Sequence, residues 1–247
     1  MHFALRTFIL VGFTCLLSCK PAYYIVKQSP GILTISDTSK HNNPIDAYLK
    51  PFRDSLSTKM DVAVTFAEGP FVKERPGGSL GNLFCDGILS VARQSDSTVM
   101  MAISNFGGLR INRWSEGPIL VRNVFELMPF DNTLVILDVP GTVLEQWIKH
   151  MANMGGWPIA GTLVNVDTNK QLIQLQSLIT NEVQPIDPQK NYRIATSDYI
   201  ANGGDRCDFL ISIKQSGSGL LLRDALMQYL QGKKRIQPNT QKRFKLY

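Results

Sequence analysis

Two glycine-containing blocks, far apart in the chain, carry the side chains best suited to chemistry. The first is Asn-Phe-Gly-Gly-Leu-Arg at 105–110, and the second is Tyr-Ile-Ala-Asn-Gly-Gly-Asp at 199–205. Glycine reaches backbone angles closed to other residues and lets a ligand approach the main chain closely. The first block ends in a guanidinium, which only donates hydrogen bonds, and the second ends in a carboxylate, which only accepts them.

Aromatic rings accompany these blocks. Tyr199 opens the second block, and Phe130 lies between the two in a Met-Pro-Phe stretch. Two aromatic faces, a cation and a carboxylate suit a flat heterocycle that carries a diol and an anionic group, because rings stack on heterocycles and guanidinium groups bind phosphate oxygens. A nucleoside or nucleotide fits this description.

The same residues resemble a known family. Asn-x-Gly-Gly-x-Arg, a Pro-Phe turn and aromatic-x-Ala-Asn-Gly-Gly-Asp follow one another as in the C-terminal domain of 5'-nucleotidases, and Leu-Gly-Asn-Leu at 80–83 resembles a helix start in that domain. The matches keep the family's order and cover most of the chain from about residue 45 to 215. The resemblance implies a mixed α/β fold, with helices layered around a mixed β-sheet, and a role in recognising nucleotides.

The resemblance also implies roles for individual residues. Phe130 and Tyr199 match the two rings that hold the base, although the family often has Phe at the second position. Asp205 matches the acceptor for ribose hydroxyls, while Asn105 and Arg110 match the contacts to base or sugar and to phosphate. The predicted substrate-binding residues are Asn105, Gly107, Gly108, Arg110, Phe130, Tyr199, Asn202, Gly204 and Asp205.

Ordinary structural interpretations remain open for these residues. Phe130 beside a proline suits a core aromatic, Asp205 after two glycines suits a turn, and Arg110 suits a solvated surface. One departure concerns phosphate, because the family usually has a charged residue directly ahead of Leu-Gly-Asn. This chain has Pro-Gly-Gly-Ser at 76–79, with Arg75 displaced upstream. The sequence thus offers no second guanidinium at the family's position.

The residues needed for hydrolysis are not apparent in the sequence. The resemblance implies that intact 5'-nucleotidases hydrolyse phosphate esters on a two-metal centre in an N-terminal domain, built from His, Asp and Asn. This chain has three histidines, His2, His41 and His150, and no Asp-x-His, Gly-Asn-His-Asp, phosphate-loop or Gly-x-Ser-x-Gly run. We therefore expect no catalytic residue, metal site or cofactor in this chain, and expect divalent metals only on a partner metallophosphatase chain.

Three functions agree with these observations. The chain is expected to be the nucleotide-recognition domain of a split 5'-nucleotidase-type phosphohydrolase, inactive alone. The alternatives are a stand-alone nucleoside-binding envelope lipoprotein and a structural domain that has lost its ligand.

The N-terminus has the pattern of a lipoprotein signal over residues 1–18. Arg6 supplies positive charge, residues 8–17 are an apolar run too short to span a bilayer, and Leu-Leu-Ser-Cys at 16–19 resembles a bacterial lipobox. We expect cleavage before Cys19 and lipid attachment to its sulfur, with a plain secretory signal as the alternative. The protein is then exported and lipid-anchored in the cell envelope, at the outer membrane or the periplasmic face.

Composition and the distribution of charge further limit the class of protein to which the chain can belong. The chain has 247 residues, of which 44% are hydrophobic and 19% charged, so neither disorder nor a multi-span membrane protein is indicated. Residues 19–40 are expected to form a tether with short strands, and residues 41–247 one domain with a basic C-terminal tail. This tail either contacts anionic lipid or is a solvated end, and it lacks the interleaved aromatics of nucleic-acid binders. Its basic residues are Lys233, Lys234, Arg235, Lys242, Arg243 and Lys245.

Hydrophobic periodicity predicts alternating helices and strands. Helices are expected from Asn43 through Leu56, at 80–92 with Ser79 as N-cap, and at 121–127, 141–151 and 220–230; strands are expected at 61–66, 98–103, 134–139 and 192–196, and a hairpin joins 159–166 to 172–179. The two remaining cysteines, Cys85 and Cys207, are expected either as buried thiols or as a disulfide.

Overall fold

The computed structural model describes residues 43–178 and 180–247. The predicted signal, the lipid site at Cys19, the tether and its strands, and His2 and His41 lie outside the described residues. The chain divides into two units, residues 1–48 and residues 49–247, and every sheet described below belongs to the second unit.

Helices and strands are mixed along the described chain. The helices are α1 Asn43–Met60, α2 Gly78–Ser95, α3 Val121–Leu127, α4 Gly141–Asn153, α5 Asp198–Ala201 and α6 Leu222–Gln231. The strands are β1 Ala63–Ala67, β2 Phe71–Val72, β3 Met101–Ile103, β4 Arg113–Trp114, β5 Gly117–Leu120, β6 Thr133–Pro140, β7 Ile159–Ala160, β8 Thr162–Val166, β9 Ile173–Ser177, β10 Val183–Pro185, β11 Asn191–Ser197, β12 Gln215–Leu221, β13 Arg235–Ile236 and β14 Phe244–Leu246.

A five-stranded mixed sheet, in the order β12-β6-β11-β3-β7, brings distant parts of the chain together. Strand β11 pairs parallel with β3 and antiparallel with β6. The carboxyl ends of β3 and β11 therefore lie at one edge of the sheet, and β6 begins at the same edge, where Ser197 pairs with Leu134. The residues that follow β3, follow β11 and precede β6 consequently emerge side by side.

The two faces of this sheet carry separate hydrophobic layers, because successive side chains of a strand point to opposite faces. Ala102, Ala195 and Ile136 pack in one cluster with buried residues of α2 and α6. Their neighbours Met101 and Ile194 pack in another with buried residues of α4 and of β8 and β9. This layered arrangement confirms the predicted mixed α/β fold class.

The start of α2 differs from the prediction. Gly77, not Ser79, occupies the N-cap position, and Ser79 lies inside the helix, where its hydroxyl accepts a 2.9 Å hydrogen bond from the Val72 N–H. Gly78 makes this possible because its φ of +65° is strained for other residues and an added Cβ would lie 2.3 Å from the Val72 carbonyl oxygen. The serine that resembled a cap is therefore used for a tertiary contact instead.

The hairpin prediction also needs correction. Residues 159–166 form two strands in different sheets: β7 pairs with β3, whereas β8 lies between β9 and β14 in a four-stranded sheet. The chain leaves one sheet for the other at Gly161, so the continuous apolar run concealed a break. The antiparallel partner is β9, with Val164 opposite Leu175; Ile179, at the end of the predicted hairpin, lies outside the described residues.

The C-terminal segment is an integral part of the fold. The prediction of a basic tail that is solvated or lipid-facing is therefore wrong for Arg243. Strands β13 and β14 pair parallel with β1 and β8. Arg243 is only 5% exposed, and its guanidinium donates to both carboxylate oxygens of Asp86 at 2.7 and 2.8 Å. The Asn82 side chain donates to the carbonyls of Asn239 and Gln241, both at 2.9 Å.

The two described cysteines are free and buried, which confirms the buried-thiol interpretation. Burial raises the pKa of the Cys207 thiol to about 12 and also raises that of Cys85. Within the described ranges, no helix combines the length and apolar character needed to cross a bilayer.

The Arg243–Asp86 pair generates a stability prediction. Asp86→Ala should lower the free energy of unfolding by about 3 kcal/mol, because it leaves a buried guanidinium without its counter-charge. Glu145→Ala is the matched control: it breaks the exposed helical pair of Glu145 with Lys149 and should cost less than about 0.5 kcal/mol. Chemical denaturation measures the free energy of unfolding of both variants. A loss for Asp86→Ala as small as that of the control would show that the buried pair does not stabilise the fold.

Candidate functional site

The loops at the shared sheet edge enclose an open cleft of about 290 Å³. That volume is near the lower end of the range for small-molecule pockets. Seven of the nine predicted residues line it, together with one that the sequence did not suggest: Asn105, Gly107, Gly108, Arg110, Phe130, Asn132, Tyr199 and Asp205. Residues from three distant segments thus meet in one place.

The Asp205 carboxylate lies at the centre of the hydrogen bonding in this cleft. Its Oδ2 accepts a 2.7 Å hydrogen bond from the Asn105 amide, and its Oδ1 accepts one of 2.9 Å from the Tyr199 hydroxyl. Asn105 is itself buried, and it lies against Gly108, where an added Cβ would lie 2.6 Å from the amide oxygen. Gly108 therefore gives Asn105 room to reach across to the second block.

The backbone at Asp205 is strained. Asp205 and Arg206 have φ values of +51° and +64°, in the left-handed region that side chains other than glycine rarely adopt. Such residues persist where surrounding contacts determine them. Here the His150 Nε2 lies 2.9 Å from the Asp205 carbonyl oxygen, and the His150 ring packs edge-on against Trp157 and Phe209.

Both aromatic rings of the cleft are accessible to solvent. Phe130 is 38% exposed and Tyr199 is 44% exposed, so the alternative of a core aromatic does not describe Phe130. Asp198 connects the start of β6, just after Phe130, to Tyr199. Its Oδ1 accepts hydrogen bonds from the backbone N–H groups of Thr133 and Tyr199 at 3.0 and 2.8 Å. The hydrogen bond to Asp205 raises the pKa of the Tyr199 hydroxyl, which stays protonated and able to donate.

Arg110 lines the cleft, and two further cations lie over the ring of Phe106 in the first block. The Arg110 guanidinium carbon is 5.6 Å from the centre of the Phe130 ring. The Lys73 Nζ and the Arg75 guanidinium carbon each lie 4.2 Å from the centre of the Phe106 ring. Burial, followed by the charges of Arg110 and Arg75, lowers the pKa of Lys73. A second guanidinium, that of Arg75, therefore lies beside the first block, where it donates to the Met154 and Gly156 carbonyls, although the sequence does not offer it at the family's position.

Two predicted residues lie outside the wall of the cleft. Asn202 is exposed, and its side-chain oxygen accepts a hydrogen bond from the Gln215 amide at 3.2 Å. Gly204 packs directly against Tyr199: an added Cβ would be 2.5 Å from both the Tyr199 carbonyl oxygen and a ring carbon. The glycine thus determines how closely the turn packs against the ring.

Sequence reasoning missed several residues that shape the cleft. Asn132 lies two residues after Phe130, so its place in the sequence beside a predicted ring could have indicated that it lines the cleft. His150 and Lys73 reach the site through tertiary packing and carry no such local signal. In the ranges that the structure describes, no three His, Cys, Asp or Glu side chains form a group able to hold a metal ion, so we derive no metal-dependent step from these residues.

Comparisons with known proteins agree on one family. The profile of the family described as "5'-nucleotidase, C-terminal domain" matches residues 61–211. The trifunctional nucleotide phosphoesterase protein YfkN of Bacillus subtilis (strain 168) is 29% identical over 196 residues, which cover 72% of this chain and 13% of that protein. Protein UshA of Yersinia enterocolitica is 27% identical over 190 residues, covering 74% of this chain and 33% of that protein.

A solved structure extends the similarity to three dimensions. The 5'-nucleotidase precursor from Thermus thermophilus superposes with a TM-score of 0.70 at 25% identity, over 83% of this chain and 43% of that chain. This chain therefore spans less than half the length of the proteins it matches.

The packing of Gly204 against Tyr199 generates a second prediction. Gly204→Ala should lower the free energy of unfolding by about 2 kcal/mol or more, because the new methyl group overlaps the Tyr199 backbone carbonyl oxygen as well as two carbons of the Tyr199 ring. Gly107→Ala is the matched control, since its Cβ meets only the Asn105 amide at 3.7 Å, and it should change stability by less than about 0.5 kcal/mol. Thermal or chemical unfolding distinguishes them; similar values for the two variants would contradict the packing argument.

Proposed function

This chain belongs to the family of 5'-nucleotidase C-terminal domains, and from that membership we propose that it is the nucleotide-recognition component of a split 5'-nucleotidase-type phosphohydrolase. A separate metallophosphatase chain supplies the metals and the hydrolysis. The observation that carries the proposal is the convergence of Phe130, Tyr199, Asp205 and Arg110 on one open cleft.

The base lies between the two exposed rings. Stacking on an aromatic side chain stabilises a bound base by about 1–3 kcal/mol and tolerates different bases. Phe130, in the loop before β6, and Tyr199, in α5, come from separate segments that Asp198 joins through two backbone N–H groups. The backbone that carries the rings is therefore held in place before the ligand arrives, which reduces the ordering cost of binding.

The ribose hydroxyls bind to Asp205. A carboxylate has about four acceptor positions, and the protein uses one on each oxygen. One position per oxygen remains for a ligand, which suits the two hydroxyl groups of an intact ribose. Asn105 approaches the same carboxylate and extends this polar wall toward the base or sugar.

The phosphate lies toward Arg110. A guanidinium matches phosphate oxygens in a bidentate manner, and Lys73 and Arg75, which lie over the adjacent Phe106 ring, add positive charge beside the first block. None of the ion pairs found in the described part of the chain neutralises these three side chains. An anionic group on the ligand would compensate their mutual repulsion.

One feature of the sequence supports a partner chain for catalysis: these 247 residues contain none of the His and Asp runs expected for the two-metal centre. The expected lipid at Cys19 would hold the recognition component at a membrane surface, where a co-anchored partner meets it at high effective concentration.

Replacing Phe130 tests recognition directly. Phe130→Ala should weaken adenosine and AMP binding by about 1–3 kcal/mol, because one stacking face is lost. Isothermal titration calorimetry measures the affinity, and Tyr247→Ala, an exposed aromatic outside the cleft, should leave it unchanged. Absence of saturable binding in the parent protein would favour a structural domain that has lost its ligand.

A reconstitution experiment tests the split. The purified full chain should release no phosphate from AMP with or without divalent metal, and it should restore or raise hydrolysis when a metallophosphatase chain that co-purifies with it is added. Metal-dependent hydrolysis by the homogeneous chain alone would contradict the proposal. Nucleoside binding without any metallophosphatase in the native complex would instead favour a stand-alone binding lipoprotein.

A further inference from the structure

We propose that the Tyr199 hydroxyl is a positioning group that orients the Asp205 carboxylate and so makes the cleft selective for ligands with an intact vicinal diol. This inference rests on the proposed function and extends it to one atom. A Phe ring would stack equally well, so the stacking role does not account for the hydroxyl of Tyr199.

The hydroxyl makes two hydrogen bonds to a single residue. It donates to Asp205 Oδ1 at 2.9 Å and accepts from the Asp205 backbone N–H at 3.2 Å. Together these bonds fix the carboxylate relative to its own backbone and relative to the Tyr199 ring. The ring that stacks on the base and the acceptor for the sugar thereby become one rigid unit.

Asn105 completes the orientation from the opposite block. Its amide donates to Oδ2 at 2.7 Å, so each carboxylate oxygen has one protein donor. The plane of the carboxylate is then determined by two donors, Asn105 and Tyr199, on separate segments of the chain. One free acceptor position is left on each oxygen. Two adjacent hydroxyl groups on one ligand match two oxygens held in this way, whereas a single hydroxyl uses only one.

The strained backbone explains why the hydroxyl is needed. Asp205 adopts a left-handed conformation with φ +51°, which is unfavourable for a residue with a Cβ. Tyr199→Phe would remove the partner of both the backbone N–H and Oδ1 while keeping the ring. The carboxylate would then sample other orientations, and binding of each diol would carry the entropic cost of ordering it.

The opposite interpretation makes an opposite prediction. If the hydroxyl merely occupies an acceptor position that the ribose needs, its removal exposes Asp205 and strengthens diol binding. The sign of the change in affinity therefore decides between positioning and competition.

The experiment compares adenosine with 2',3'-dideoxyadenosine by calorimetric titration of the full chain and its Tyr199→Phe variant. We expect the preference for adenosine to fall about fivefold, corresponding to one net hydrogen bond of about 1 kcal/mol. Dideoxyadenosine affinity should be unchanged because the stacking face remains. Tyr192→Phe is the matched control: it removes a tyrosine hydroxyl that accepts a 2.8 Å hydrogen bond from the Asp187 N–H outside the cleft, and it should not alter the preference.

A second background separates positioning from loss of structure. In Asp205→Ala protein, adding Tyr199→Phe should produce no further change in the ratio of the two affinities, because the group to be positioned is already absent. Unchanged or tighter adenosine binding by Tyr199→Phe overturns the inference, as does a parallel loss for both nucleosides. Failure of the parent chain to bind either nucleoside overturns the proposed function as well, and that result is distinguishable from the others.

Discussion

The parallel pairing of β3 with β11 is the constraint on which the cleft depends. Parallel neighbours end at the same edge of a sheet, so the blocks that follow them meet although they are far apart in the chain. Ile194 opposite Met101 sets this register. Strand β6 pairs antiparallel with β11 and begins at the same edge, which adds the Phe130 loop. Three loops with no local relation to one another therefore form one surface.

The chemistry of that surface follows from a strained turn held by its surroundings. Asp205 keeps a left-handed backbone because Tyr199, Asn105 and His150 contact it from three different elements. In the proposed function, a rigidly held carboxylate in a cleft with two exposed rings recognises a sugar attached to a heterocycle, and little remains to be ordered on binding. Lys73 and Arg75 add positive charge around the adjacent Phe106 ring.

The C-terminal segment illustrates how charge patterns mislead without contacts. Its lysines and arginines suggested a solvated end, yet Arg243 is buried against Asp86 and the segment adds strands to two sheets. Asn82, part of the Leu-Gly-Asn-Leu block, holds the same segment through two carbonyl groups. A residue of the helix-start motif that contributed to the family resemblance therefore has a structural role in this chain, and composition alone did not reveal it.

Local pattern was sufficient for most elements, because the period of apolar residues reports which face of a helix or strand is buried. The helix at Val121–Leu127 matched its prediction to the residue, and the family motifs named most residues of the cleft. Tertiary structure alone decided the cap at Gly77, the division of 159–166 between two sheets, and the arrival of Lys73 and His150 at the site. Those outcomes depend on contacts between segments distant in sequence, and no local periodicity encodes such contacts.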